Sequence, residues 1–321
     1  MTVRLGSDRV EVVLAALLGA IDVEGGPTEE QRMVLGALCV HLWERPDLDL
    51  DRIIPLGPDE AAAALPEPTE RRTFHEVLVA LETCRHPLTS AQLERAEQYD
   101  RALSVSGAEI AMFRDLVTQG VATAATDFAR FLDTTMPLRF EPSLRELPIS
   151  ASEPEPAIVD ALRALQDLPV GTLGREFIEF HLRNDLPLPG EEGSSLNHFY
   201  VAHDMTHVIT GIGTTAAAEV ALSAFLLGIE DNDINMAALL SSLIVHEVGF
   251  GSAGKVTGES HTLAAPGAAE LIATELARGS RCAADFSTID HLAIAAVPLA
   301  EVRARFGVAP PPDPHDGHHH W

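Results

Sequence analysis

Apolar residues recur at helical spacing along most of the chain, and helix-capping residues separate the periodic segments. In the first part, this pattern predicts helices at 8–20, 29–44, 70–83, 90–103 and 107–133, with a short extra turn opened by Gly57 and Pro58. Three starts carry a capping box, a Thr or Ser with a Gln or Glu three residues later: Thr28 with Gln31, Thr89 with Gln92, and Ser106 with Glu109. We therefore expect an acidic helical bundle over residues 1–134.

A proline-rich stretch separates this bundle from a second periodic region. Residues 135–157 contain five prolines and little periodicity, which is typical of a linker. Beyond it, the pattern predicts helices at 157–167, 172–184, 235–248, 263–278, 287–294 and 298–306, and a helix pair within 199–229. The predicted fold is all-α, with two helical-bundle domains at 1–134 and 158–308, a linker at 135–157 and a disordered tail at 309–321.

The candidate chemistry lies in the helix pair. On a helix, His203 and His207 are one turn apart on the same face, and Asp204 borders that face. Two imidazoles and a carboxylate can hold a divalent metal, and zinc is the expected ion. In one straight helix, Glu219 would lie about 18 Å along the axis from His207.

A turn between these residues changes that geometry. Gly211 is a typical helix-ending residue and Thr215 a typical helix-starting one, so the segment predicts a helix, a sharp turn and a second helix. The turn brings Glu219 to the level of His207. Glu219 then becomes either a fourth ligand or a base beside the metal.

This motif resembles that of a known family. The spacing H-D-x-x-H, eleven residues and E is similar to the signature of the Coq-four family, zinc-binding proteins of ubiquinone (coenzyme Q) biosynthesis. The resemblance extends to 168–177 and to 299–308. It implies an all-helical domain that binds prenylated quinone precursors or lipid and is linked to loss of the C1 carboxyl of the aromatic head group. It also implies the metal ligands His203, Asp204, His207 and Glu219.

Three functions remain open at this point. The first is a zinc-dependent decarboxylase or lyase acting on a prenylated aromatic acid that lies along the apolar faces of 199–227 and 236–248. The second is a non-catalytic scaffold that binds a prenyl lipid and has a structural zinc, since four protein ligands favour a closed site. The third is an HD-type metal phosphohydrolase, for which an upstream His and a downstream Asp have no assigned positions.

Composition restricts the partners and the compartment. The formal net charge of the 321 residues is -26, which argues against nucleic acid and against electrostatic attachment to anionic lipid. Membrane contact would then be peripheral and apolar. The three cysteines are far apart in sequence, which predicts reduced thiols and a cytoplasmic protein. The expected partners are a prenylated quinone precursor or a polyprenyl lipid, with a homo-oligomer or a biosynthetic complex also open.

The first bundle contains a faint internal repeat. An apolar helix followed by Pro27-Thr28 and an acidic turn reappears before Pro87-Leu88-Thr89, and this resembles the TerB-like helical domain of tellurite resistance. The resemblance implies that metal can bind at the acidic turns. The first turn retains four acids, Asp22, Glu24, Glu29 and Glu30, whereas the second has Arg85 and His86. A solvated acidic helix start is the preferred interpretation.

A few other residues receive weaker interpretations. His246 and Glu247 end an apolar helix, where a histidine complements the helix dipole. Arg175 lies in the first turn of its helix, which suggests pairing with an acid or with an anionic ligand group. Asp231 and Asp233 are expected in a surface turn. Four histidines receive no role: His181, His198, His261 and His291.

Overall fold

The computed structural model describes residues 4–105, 136–148, 154–194, 196–249 and 260–321. These ranges contain helices and no strand or sheet, so the all-α prediction is confirmed for them. Their α-helices are α1 (Val10–Ile21), α2 (Glu29–Ala37), α3 (Pro58–Ala64), α4 (Pro68–Thr83), α5 (Ser90–Leu103), α6 (Pro156–Arg163), α7 (Leu173–Arg183), α8 (Phe199–Thr210), α9 (Ala216–Ile229), α10 (Asp233–His246), α11 (Ala268–Gly279) and α12 (Leu299–Phe306). The predicted helix at 107–133 and its capping box at Ser106 lie outside the described residues.

Local capping chemistry explains several of these boundaries. Thr28 and Gln31 form the predicted reciprocal capping box at the start of α2. At α5, the Thr89 side chain accepts the backbone N–H of Gln92, but the Gln92 side chain donates instead to the carbonyl of Glu82. The second box is therefore only half formed. Its glutamine instead ties α5 to the end of α4.

Three predicted helices differ from the observed ones. The helix predicted at 263–278 begins only at Ala268, after a 3₁₀ turn at Thr262–Ala264. After α2 the chain continues as a π-helical turn, Leu38–Leu42, where a helix through residue 44 is predicted. The predicted helix at 287–294 is wrong, since only the 3₁₀ turn Leu292–Ile294 forms there. The backbone N–H groups of Ser287 and Leu292 bind the carboxylates of Asp285 and Glu141, which replaces helical hydrogen bonding.

One hydrophobic core is shared between the two halves of the chain. Leu14, Leu78 and Tyr99 from the first half belong to the same buried cluster as Leu227 and Leu240 from α9 and α10. Full burial of a leucine contributes about 1.5–3 kcal/mol, so separating the halves would expose several such contributions. The predicted arrangement of two independent bundles is not confirmed, and the shared core argues against it.

A second core surrounds the helices that carry the candidate site. It contains Phe177 of α7, Val201 of α8, Leu222 of α9 and Phe306 of α12. Because α9 has residues in both cores, it is the element that joins them. Within the described ranges, no helix combines the length and apolar content needed to cross a membrane.

The described part of the predicted linker is packed against the second half. Met136–Arg139 form a 3₁₀ turn, and the next two residues, Phe140 and Glu141, are buried. Glu141 lies 2.8 Å from the Nδ1 atom of His291 and accepts the N–H of Leu292, also at 2.8 Å. A buried carboxylate needs such partners, and they fix this segment in place. The interpretation of this part as a free linker is therefore wrong.

The tail, residues 309–321, is packed rather than disordered. The backbone N–H of Gly213 donates to the carbonyl of His318 at 2.7 Å. The guanidinium of Arg303 lies 3.6 Å from the centre of the Trp321 ring, within the range of a cation–π interaction. The α8–α9 turn offers backbone groups that the tail satisfies, and composition alone does not reveal this pairing. The prediction of disorder is corrected accordingly.

Candidate metal centre

The turn between α8 and α9 positions the candidate ligands. Helix α8 ends at Thr210, and Gly211 follows with φ 73°, a left-handed conformation that favours glycine. The side chain of Thr215 accepts the N–H of Ala218 and so caps the start of α9. The chain thus folds back as the spacing of these residues predicts, and α8 and α9 lie side by side.

Three of the predicted ligand side chains lie close together, with each histidine facing a different oxygen of Glu219. The Nε2 atoms of His203 and His207 are 3.1 Å apart. The Glu219 carboxylate lies 3.3 Å from Nε2 of His203 and 3.4 Å from Nε2 of His207. Bonds of 2.0–2.1 Å to a tetrahedral zinc would place ligand atoms about 3.3 Å apart. The three side chains therefore have the spacing of a zinc site.

Asp204 completes the predicted set. One ligand atom each of His203, Asp204 and His207 lie within 4.8 Å of one another. We use the name HDxxH site for these three residues together with Glu219. The structure brings Glu219 together with the two histidines, and it brings Asp204 together with the same histidines. The metal and its set of four ligands stay a prediction.

The environment of His207 fixes which of its nitrogens faces the site. Its Nδ1 atom lies 3.0 Å from the carbonyl of Ile212, and a carbonyl can only accept, so Nδ1 carries a proton. In the neutral ring, Nε2 then presents a lone pair toward His203 and Glu219. Metal-binding histidines commonly have this arrangement, in which a backbone carbonyl orients the ring.

His181 is a functional candidate that the sequence analysis missed. Its Nδ1 atom lies 3.0 Å from the carbonyl of Pro187, which again places the proton there. Its Nε2 atom lies 3.2 Å from Oδ2 of Asp204. Both atoms are buried, and neither has a well-aligned hydrogen bond among the described residues. Two acceptors that face each other in this way need a proton or a cation between or beside them.

Burial and neighbouring charges shift the pKa values of several groups at the site. Burial disfavours the charged form of His207, but the charge and hydrogen bond of Glu219 outweigh it and raise the pKa of His207. Burial would raise the pKa of Glu219, yet the two histidines hold it well below its usual range. Burial, followed by the charges of Asp204 and Glu219, raises the pKa of Tyr200 to about 12. Glu219 is therefore ionised and Tyr200 neutral at pH 7.

A cavity of about 670 Å³ opens beside His207. It lies between α7, the end of α8, α12 and the tail, and its lining includes Phe180, Arg183, His207, Val208, Arg303 and Trp321. Apolar rings and two guanidinium groups thus share one space. Its volume lies within the range of small-molecule sites, about 300–1,000 Å³.

The cavity is not where the sequence analysis expects the ligand. The apolar side chains of α9 and α10, expected to line a groove, pack instead in the core that both halves share. The space left there is about 50 Å³, enough for little more than water. The expected position of the ligand along the apolar faces of α9 and α10 is therefore not confirmed.

The other residues singled out in the sequence have ordinary partners. Arg175 pairs with Glu179, 2.6 Å away on the next turn of α7, so an acid rather than a ligand satisfies it. Asp231 pairs with Arg72 of α4 at 2.9 Å, and Asp233 lies 3.5 Å from the same guanidinium. These two aspartates belong to an ion-pair network between α4 and the start of α10.

Comparison with known proteins yields no relative for this chain. No protein-family model matches it, and a search of curated proteins gives no match either. The resemblance to the Coq-four family therefore rests on the motifs of the sequence, and the chemical argument rests on the geometry of the HDxxH site.

Proposed function

We propose that this protein is a divalent-metal-dependent lyase that removes a carboxyl group from a prenylated aromatic acid, as the resemblance to ubiquinone biosynthesis implies. The observation that supports it most is that the Nε2 atoms of His203 and His207 lie 3.1 Å apart and each lies 3.3–3.4 Å from one oxygen of Glu219. The cavity beside His207 supplies the space for an aromatic head group. Zinc is the preferred ion because the site combines imidazoles with carboxylates.

Each group of the chain has a defined role in this proposal. The HDxxH site would hold the metal, which when bound supplies a Lewis acid that stabilises negative charge on the ring. The carbonyl of Ile212 orients His207. Glu219 is ionised at pH 7, and its negative charge would offset part of the positive charge of a bound divalent metal. In the overall reaction, the bond from ring to carboxyl breaks, carbon dioxide leaves, and a proton takes its place on the ring.

The cavity walls favour an amphipathic acid. Arg303 donates to the carbonyls of Val208 and Ile209, at 3.1 and 3.0 Å, which fixes its guanidinium at the end of α8. Burial, the largest cause, lowers the pKa of Arg303 to about 10, and the group still stays charged at pH 7. Arg303 therefore attracts a carboxylate, and the ring of Phe180 offers an apolar wall to the aromatic ring.

The position of Asp204 favours a catalytic over a purely structural metal. One oxygen of Asp204 lies against His181 at 3.2 Å. If Asp204 orients His181 instead of binding metal, the chain supplies three ligands. Three protein ligands and one open position are typical of catalytic zinc, whereas four are typical of structural zinc. This contact is the reason to prefer the enzyme over the lipid-binding scaffold.

The proposal is tested by combining metal analysis with an assay of carbon dioxide release. The full chain, loaded with zinc, should decarboxylate a prenylated aromatic acid, and His203→Gln should lose both zinc and activity. His41→Gln is the matched control, because His41 is partly exposed and does not line the cavity. A zinc-loaded chain that binds the acid but releases no carbon dioxide would instead support the non-catalytic scaffold.

One observation favours a second candidate function. An HD-type phosphohydrolase requires an upstream histidine near its His-Asp pair, and His181 meets that requirement by lying 3.2 Å from Asp204. Glu219 takes the place of the downstream aspartate among the residues in contact. Hydrolysis of a generic phosphate ester with manganese, abolished by His181→Asn, would favour this alternative over the lyase.

A further inference from the structure

A second group of metal-binding side chains lies where the two halves of the chain meet. Its members come from distant segments of the sequence: Glu30, His86, Glu247 and His261. We call them the bridging cluster. One ligand atom from each of the four lies within 4.8 Å of the other three. Glu30 and His86 lie in the two turns of the internal repeat, but the sequence does not indicate that Glu247 and His261 join them.

The closest contacts in the cluster join histidine to glutamate. Nε2 of His86 lies 2.9 Å from Oε1 of Glu247, and Nδ1 of His261 lies 3.2 Å from Oε1 of Glu30. Nε2 of His86 is also 3.9 Å from the second oxygen of Glu30. Two of these separations are near the 3.3 Å or so expected between ligand atoms of a tetrahedral zinc, and the third requires only a small side-chain movement.

Burial makes the charge of this cluster costly. The Glu247 side chain is 0% exposed, and those of Glu30 and His86 are 17% exposed. With neutral imidazoles, the cluster carries two negative charges in a largely water-free position. A divalent cation would cancel them, and carboxylates buried in this way require such compensation.

The surroundings orient the ligands as in metal sites. The second oxygen of Glu247 accepts the backbone N–H of Leu263 at 2.8 Å, which aims its first oxygen at His86. The backbone N–H of His261 donates to the carbonyl of Glu247 at 3.0 Å and holds the two residues together. Hydrogen bonds that fix metal-binding carboxylates commonly take this form.

We infer that the bridging cluster is a second metal site, specific for a divalent ion of the zinc class. Two imidazoles and two carboxylates form a closed set of four, as in structural zinc sites. Glu30 lies in the first turn of α2 and His86 between α4 and α5, whereas Glu247 follows α10. The metal at this site therefore fastens the N-terminal helices to the C-terminal ones.

Zinc titration of the full chain tests this inference. The metal-stripped wild type should bind two tight equivalents of zinc. A double variant, Glu30→Gln with His261→Gln, should bind one equivalent, because it lacks two of the four ligands of the bridging cluster. Both side chains are partly exposed and the buried Glu247 is unchanged, so the variant should still fold. His203→Gln with His207→Gln should also bind one, from the opposite site. Exchange of the exposed tail residues His315 and His320 for Gln is the matched control and should leave two equivalents.

A thermal melt separates a metal site from a simple ion-pair network. Zinc should raise the melting temperature of the wild type more than that of the double variant of the bridging cluster. If that variant still binds two equivalents, or if the wild type binds one that only the HDxxH variants lose, the cluster is an ion-pair network and the inference is wrong. Circular dichroism of each variant without zinc shows whether it is folded.

Discussion

The HDxxH site and the bridging cluster contain the same types of side chain, but one is built from neighbouring segments of the sequence and the other from distant ones. Each contains two histidines and two acids, although only in the bridging cluster do all four lie within 4.8 Å of one another. The first comes from one helix, a turn and the next helix, whereas the second joins residues as far apart as Glu30 and His261, separated by 231 positions. The comparison shows that motif spacing reveals a site only when local geometry builds it.

The two groups also differ in what surrounds them. His207 of the HDxxH site borders a cavity of about 670 Å³, whereas His203, Asp204 and Glu219 do not line it. Glu247 of the bridging cluster is fully buried at the junction of the two halves. An open position suits catalysis and a closed set suits structure. We therefore propose a catalytic role for the HDxxH site and a structural role for the bridging cluster.

The largest effect is expected from removing a ligand of the HDxxH site. Structural zinc sites are worth about 10–16 kcal/mol for four ligands, so losing one imidazole should cost about 3–4 kcal/mol. His207→Gln should then weaken zinc binding at this site on the order of 100- to 1,000-fold. Competition with a zinc chelator of known affinity measures the change. Unchanged affinity in a folded variant would remove His207 from the site.

The turn that creates the HDxxH site should be nearly as sensitive. Gly211 has φ 73°, and a Cβ atom there would lie 2.9 Å from the carbonyl oxygen of His320. Gly211→Val should therefore cost about 2–3 kcal/mol of stability, from left-handed strain and contact with the tail. It should also lower zinc affinity at this site.

Gly25→Val is the matched control for the turn. Gly25 also has a positive φ, 107°, but no atom lies within 4 Å of the added Cβ. Chemical denaturation should show that both variants are destabilised, and zinc titration should show that only Gly211→Val binds zinc more weakly. Equal zinc affinity in the two variants would show that the conformation of this turn does not affect zinc binding.

Glu82 provides a reference for a buried carboxylate without an imidazole partner. Burial, the largest cause, raises the pKa of Glu82 to about 8, despite the opposing effects of Gln92 and Arg85. Because the folded-state pKa is raised, the stability it contributes is complete below the unfolded pKa of about 4.3 and is lost as pH rises through about 8.

A matched variant measures this loss. The free energy of unfolding of the wild type should fall, relative to Glu82→Gln, by on the order of 2 kcal/mol between pH 6 and pH 8. Urea denaturation across this range tests it. Parallel pH profiles for the two proteins would show that Glu82 is compensated in the same way as the carboxylates of the two clusters.

The smallest effect is expected from His181. If Asp204 and His181 hold each other in place beside the three ligands, then His181→Asn should weaken zinc binding at the HDxxH site by about tenfold, the lower end for residues that support a metal site. Asp204→Asn should give a similar loss, and the double variant should be no worse than either. Additive losses in this cycle would show that Asp204 and His181 act separately.

Local signals explain what the sequence predicts well. The helix predicted at 90–103 forms at Ser90–Leu103. Thr89 caps its start, and the next residue after it, Ser104, has a left-handed conformation that ends it. The HDxxH residues meet because one glycine-containing turn reverses the chain. Such features depend on neighbours within a few residues, which periodicity and capping rules describe.

Long-range pairing explains what the sequence does not predict. The tail is ordered because backbone groups of the α8–α9 turn pair with it, about a hundred residues away along the chain. His181 meets Asp204, and Glu247 meets His86, through packing of separate helices. The shared core also depends on long-range packing. Helix α9 is apolar around most of its surface, so its sequence does not indicate which helices it packs against.

The proposed function depends on a divalent metal at the HDxxH site, and anomalous diffraction at the zinc edge detects such a metal in place. Crystals of the full chain grown with equimolar zinc should show an anomalous peak bonded to Nε2 of His203, Nε2 of His207 and a carboxylate oxygen of Glu219. The same experiment on His203→Gln with His207→Gln should show no peak at that position. Well-ordered wild-type crystals that contain zinc elsewhere but none at these three atoms would contradict the account.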